Sequence, residues 1–399
     1  MINKSLSYKR DFFVILCEVE VLLFVFEKSY NVLFDLFQTN LPSLTYPIYA
    51  LIGARHLLLF FVAILAFSSK KGWVCSLIFA LLMGSSVYYT SINFPLNMEY
   101  VSPLYMYFLS IFVLSKIIPT DYLRIESLIE MSTKVSRVLV PIIILLRIIY
   151  PEGLSYMTFS DAISLPCALL IANGYSGKRI DMYLGIISLV AVLLFGGRGS
   201  LLSLLLLFVM LVLFNRANGK IKPIYIVLII ISPILFEFLQ SLVDISGSRT
   251  IGLLVSGDIG YDSSRLLIYE TLIQALADNP MGIGVRGDRV MLESFNMSES
   301  NVAYAHNVFL ELLLTFGMLI GMIIIIYLMY LFIWKLMFKQ MDVKIKGFLL
   351  SFFTVSFLQL MTSRTFLTET NLYILIFMLV NIAYNRNKVL HVNPKVSRL

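Results

Sequence analysis

Charge is scarce in this chain. Only 14% of its 399 residues are Asp, Glu, Lys or Arg, while 59% are hydrophobic. The mean hydropathy of +0.88 excludes a water-soluble domain and calls for a bilayer. Cysteine is nearly absent too. Cys17, Cys75 and Cys167 all lie in apolar segments, so they read as buried thiols and offer no disulfide framework. No small-residue cleavage site follows the basic N-terminal patch of Lys4, Lys9 and Arg10, which favours a retained first helix over a signal peptide. The chain has no pair of matching halves, as many transporters have. Asp258, Asp262, Asp278 and Asp288 are too widely spaced for a local metal cage. Neither a metal nor another cofactor is expected.

What the chain does have is apolar runs of membrane-spanning length. They fall near 12–35, 45–67, 73–92, 102–118, 138–150, 161–175, 180–196, 200–214, 222–243, 305–334, 347–361 and 370–384. The expected fold is an all-α integral membrane protein of about 12 transmembrane helices with one large extracytoplasmic loop. Residues 1–243 hold nine spans, 244–304 the loop with short helices, and 305–399 three spans and a tail. Glu18 and Glu20 make the first span awkward, because residues two apart do not share a helix face; a tilted or interfacial helix is expected there.

Lys70 and Lys71, the 116–137 cluster, Lys178 and Arg179, the 216–222 cluster, Lys335 to Lys346 and both termini fall on one side of such a layout. By the positive-inside rule that side is the cytoplasm. The net charge of +7 then follows from topology and needs no nucleic-acid partner. The other nine basic residues are Lys28, Arg55, Arg147, Arg198, Arg249, Arg265, Arg286, Arg289 and Arg364. Orientation is indifferent to Lys versus Arg, yet eight of these nine are arginine, the residue for bidentate contact with phosphate or carboxylate. Snorkelling and internal salt bridges are the alternative reading. Of three histidines, only His306 falls in the outer loop; it starts an apolar helix whose dipole disfavours imidazolium, as suits a general base. A capping or packing histidine is the alternative. Asn307 beside it reads as an orienting or substrate-binding amide.

Three segments recur in order here: FGGRGSLLSLLLLF at 195–208, SSRLLIYETLIQALADNPMGIG at 263–284 and AHNVFLELLLTFGMLIG at 305–321. The chain resembles, on these segments, the O-antigen polymerase and O-antigen ligase superfamily of bacterial membrane glycosyltransferases. It departs at 196–198, where Gly-Gly and not a hydroxyl residue precedes the arginine. Asp262 or Ser263 is expected to cap a surface helix to about Asp278, with Leu266, Tyr269, Ile273 and Leu276 on one face.

The resemblance implies a multi-span fold of the GT-C type in a bacterial inner membrane, with both termini cytoplasmic. The donor it implies is a glycan on undecaprenyl pyrophosphate, and the acceptor a sugar hydroxyl. His306, Arg198 and Arg265 would then be catalytic, with Asn307, Arg364, Arg286, Arg289 and Arg147 binding substrate. Partners would be the lipid-linked oligosaccharide, membrane lipid and a polysaccharide chain-length regulator. Polymerisation of an O-antigen or capsular polysaccharide is preferred. Ligation of a finished glycan to lipid A-core is the alternative, and a flippase of lipid-linked glycans is a further one.

The charge pattern predicts that Val290→Cys reacts with an impermeant thiol reagent in intact cells; labelling only after lysis would invert the topology.

Overall fold

The computed structural model describes residues 12–40, 43, 45–67, 73–119, 122–151, 153–214, 263–294, 304–339, 341–361 and 364–384. Every regular element among the described residues is helical. Helix α1 (Phe12–Val25) continues through Phe26 into α2 (Glu27–Asn40). Then come α3 (Thr45–Phe67), α4 (Trp73–Asn93), α5 (Met98–Val101), α6 (Tyr105–Ile117), α7 (Tyr122–Ile149), α8 (Tyr156–Tyr175), α9 (Arg179–Phe195) and α10 (Arg198–Phe214). The C-terminal set is α11 (Ser263–Asp278), α12 (Gly287–Ser294), α13 (Val308–Met329), α14 (Val343–Phe352), α15 (Leu358–Leu360) and α16 (Thr370–Tyr384). The expected span at 222–243, the 216–222 cluster, the termini and Arg249 lie outside the described residues.

Among the described residues five helices are long and apolar enough to cross a membrane: Tyr46–Ala66, Pro95–Ile117, Tyr156–Tyr175, Val308–Phe338 and Val343–Leu360. Gly199–Phe214 and Thr370–Ile382 are apolar but shorter. α8 is the hub. It packs against α2, α7, α9, α10 and α14, and almost every residue from Phe159 to Tyr175 is buried.

The expectation of a loop at the 116–137 basic cluster changes. The 138–150 run is the end of a longer helix, since α7 begins at Tyr122; Arg124, Lys134 and Arg137 therefore stand on a helix and not in a loop. Arg137 grips Asp181 at the start of α9 with both oxygens engaged, at 2.5 and 2.9 Å. Glu18 and Glu20 of α1 are enclosed by protein. Both are buried, because α3, α6, α7 and α16 pack around α1 and cover more than one of its sides.

The expected span at 305–334 is not one straight helix either. α13 breaks at Gly317, whose φ of 79° and ψ of 167° are not helical. Gly321 comes back against Leu313, where an added Cβ would stand 2.9 Å from the Leu313 Cα. In a straight helix these residues would be about 12 Å apart along the axis, so the bend is sharp. Residues 308–317 are mostly buried, while the next stretch exposes Met318, Leu319, Ile320, Met322, Ile323 and Ile326. The first nine residues thus form a half-helix enclosed by protein. From 318 to 338 the chain has about 30 Å of helix, the thickness of a hydrocarbon core.

The NPMGIG turn fills the break. Ile283 N–H donates to Leu314 O at 2.7 Å, and Met318 N–H donates to Pro280 O at 2.9 Å. Leu314 and Met318 would be partners in an unbroken helix, so the turn opens one helical hydrogen bond and satisfies both of its ends. Such satisfaction is obligatory where water is scarce. The α4 end and the segment after it pin the turn from the other side. Tyr89 Oη donates to Gly282 O, Asn97 Nδ2 to Ile283 O, and Val285 N–H to Thr90 Oγ1. Gly282 (φ 90°) and Gly317 meet backbone to backbone: a Cβ on Gly282 would lie 2.7 Å from Gly317 N, and one on Gly317 2.6 Å from Met281 O.

Gly317→Ala should therefore lower the stability of the purified protein by at least ~2 kcal/mol, combining left-handed strain with overpacking. An unchanged melting temperature would contradict this packing.

Candidate functional site

The loop between the turn and α13 carries the only two non-glycine residues among the described ones with positive φ: Arg286 at 61° and His306 at 48°. An L-residue held there costs about 1–2 kcal/mol, so the surroundings must impose it. For His306 they are plain. Asn307 follows as the N-cap of α13, its Oδ1 accepting from Phe309 N–H at 3.0 Å and Leu310 N–H at 3.3 Å. His306 thus precedes the cap and is not, as expected from the sequence, inside the first helical turn. Its ring stacks on Tyr304 with centroids 3.8 Å apart, and Arg289 lies over the other ring of that pair, 5.7 Å from the Tyr304 centroid. Between them, Ala305 N–H donates to Asp288 Oδ2 at 3.0 Å, tying the histidine loop to α12.

α11 forms with the expected bounds, but its buried face is not the expected one. Leu272, Ala275 and Leu276 are buried, whereas Ile273 is 58% exposed. The stripe of Leu272 and Leu276 packs with Ile283, Leu292, Ala305, Leu310 and Leu314 into a small core that binds α11, the turn, α12 and the half-helix together. Tyr269 Oη reaches His306 O at 3.5 Å. Position 265 lies one turn before Tyr269 on α11; the Arg265 side chain is outside the described residues.

A second cluster of charge surrounds α8. Arg364 pairs with Asp161 of α8 and, at 3.2 Å, with Glu369, which also takes Lys28 of α2. These partners raise the pKa of Arg364 above its ordinary value, outweighing the burial that opposes its charge. Position 198 opens α10 next door, since Gly197 N–H donates to Ser160 Oγ. Ser160 of α8 is thus the hydroxyl that meets the 196–198 segment; the Arg198 side chain itself is outside the described residues. Arg147 donates to the carbonyls of Pro151 and Leu154 and lies over the Phe195 ring, bracing the connection into α8. For Arg147, Arg364 and Arg55, which pairs with Glu27 at 3.0 Å, the internal-bond reading describes what the structure holds.

Glu311 joins the two clusters. From the first turn of α13, five residues after His306, it accepts from Thr365 Oγ1 and, at 3.1 Å, from Phe366 N–H, on the loop that carries Arg364. Glu311, Asp288 and Tyr304 were not legible as a set, because their partners are far apart in sequence. The arrangement offers an imidazole at the mouth of a half-helix, with Arg289 over the tyrosine it packs on and Glu311 tying that half-helix to the loop of Arg364. It suits proton removal next to an anionic leaving group.

The family model described as O-antigen ligase matches residues 183–326. That stretch runs from α9 through α10, α11, the turn and most of α13, and so contains both Gly-Gly-Arg and His306–Asn307. The resemblance to the O-antigen polymerase and ligase superfamily is thereby shown over this segment. No curated protein and no solved structure matches the chain.

The strain at 306 is separable from the ring. His306→Gly should be more stable than His306→Ala by about 1 kcal/mol, since both lose the imidazole but only alanine keeps the left-handed penalty. Equal melting temperatures would mean that the positive φ is not present in the protein.

Proposed function

We propose, for a helical membrane protein whose residues 183–326 carry the O-antigen ligase segment, that the reaction is polymerisation of lipid-linked repeat units outside the cytoplasmic membrane. The donor is a glycan on undecaprenyl pyrophosphate in the inner membrane, and the acceptor is a hydroxyl of another lipid-linked unit. His306 takes the proton of that hydroxyl as its oxygen bonds to the anomeric carbon. The bond from that carbon to the diphosphate breaks, and Arg198 and Arg265 stabilise the charge on the departing oxygen. Arg364, already bound to Asp161 and Glu369, acts by ordering the α8 wall beside position 198.

The observation that carries this reading is His306 itself: strained, stacked on Tyr304, and followed by a capped half-helix that a turn holds in place. A transporter would not need one histidine fixed at such cost. Ligation to lipid A-core is the second reading, favoured by the description of the matching family and served by the same residues. The outer cations left after Arg198 and Arg265 are few, which supports a glycan acceptor over a phosphorylated lipid A-core.

His306→Ala, Arg198→Ala and Arg265→Ala should each cut glycan transfer by about 100-fold or more at normal membrane abundance. Lysine at 198 or 265 should restore little, because a point charge does not replace a fork. Transfer should also survive EDTA. Deleting the protein should leave a single repeat unit on its acceptor in glycan electrophoresis; full-length polymer stranded on the polyprenyl carrier would establish ligation instead.

A further inference from the structure

Arg286 is used by none of these steps, and its position is costly. Its residue is 7% exposed, its φ is 61°, and Nη1 is fully buried without a hydrogen-bond partner. It forms no ion pair among the described residues. Burial and the neighbouring Arg289 both press against its charge and lower its pKa. An unpaired guanidinium enclosed by protein is expected to be lost from a fold unless something outside the fold pairs with it.

Among the described residues, the charged or titratable groups that act on Arg286 are Arg289, Asp288, Glu311 and Tyr107. Asp288 accepts from Ala305 N–H, and burial raises its pKa despite both arginines. Glu311 is committed to Thr365 and Phe366. Neither carboxylate reaches Arg286 as an ion pair. Both acids are thus engaged elsewhere and neither pairs with Arg286, so its single positive charge is the one left without a counterpart, and one added negative charge would answer it. A diphosphate would bring more than one, beside two buried carboxylates. A carboxylate brings one, is small enough for so enclosed a position, and matches the guanidinium fork. The location fixes whose carboxylate it is. Arg289 covers Tyr304, which stacks on His306, so this cation lies on the side of the group that receives the acceptor proton.

We propose that Arg286, with Arg289, recognises a carboxylate on the acceptor glycan, making an acidic sugar near the attacking hydroxyl the feature that selects the acceptor. The inference rests on the glycan-transfer reading above.

The experiment uses full-length protein in nanodiscs and lipid-linked repeat units from the host, either native or with their carboxyls converted to methyl esters. Native units should stabilise both wild type and the inert His306→Ala protein against heat, and the esters should bind about tenfold or more weakly. Arg286→Met should bind both forms alike, with a melting temperature at or above wild type, because an uncompensated charge has gone. Equal binding of native and esterified units by wild type overturns the proposal, whether or not Arg286→Met folds. So does a host polymer built only of neutral sugars. A wild-type protein that discriminates the two forms but transfers nothing would instead sink the transfer reading and leave this site standing.

Discussion

The half of the molecule that carries His306 depends on one substitution of hydrogen bonds. Where α13 would bond Leu314 O to Met318 N–H, the turn at Asn279 to Gly284 inserts its own backbone and takes both groups. Around that graft, Thr90, Asn97 and Tyr89 fix the turn to α4 and its sequel, and Leu272, Leu276, Ile283 and Leu314 close an apolar core. Without it the half-helix would have no reason to leave the axis of the span. Asn307 would then cap a different direction, and the histidine loop would lose the shape that drives His306 into positive φ.

The site is accordingly a product of tertiary constraint more than of local preference. Asn307 has the residue type for a helix N-cap, yet nothing local asks histidine to adopt a left-handed backbone just before it. The Tyr304 stack, the Asp288–Ala305 bond and the α11 packing supply that demand. A second, more distant frame does similar work around α8. Lys28, Glu369, Arg364 and Asp161 join α2, α8 and the loop before α16. Their individual energies are small where exposed and uncertain in sign where buried. Their geometric effect is clear: removing one partner would leave another buried charge uncompensated.

Helix positions were legible from apolar run length because spanning segments announce themselves by composition. The α11 bounds were legible as well, from Asp262 or Ser263 as the expected cap and Asn279–Pro280 as stop. Its buried face was not: the alternation that pointed to Ile273 ignores which neighbours cover the helix, and the half-helix covers the Leu272 side. The α13 break was hidden because FGMLIG reads as continuous hydrocarbon. Gly317 signals permission to bend, whereas the instruction comes from residues 280–283 across the chain. The arginines stood out in the sequence, but their division into committed and uncommitted ones needed partners. Arg364, Arg147 and Arg55 have them; Arg286 does not.

The exchange at Gly317 also bears on how the protein is made. Before the turn docks, Leu314 and Met318 can bond to each other, so the segment from Val308 onward can enter the bilayer as an ordinary helix with no exposed backbone. The turn precedes it in the chain and is already synthesised when that helix arrives. Docking then trades one bond within the helix for two between segments and draws the first nine residues out of line. Insertion and docking are thus separable events, and Gly317 leaves a membrane-competent helix free to take up its bend once the turn is in place.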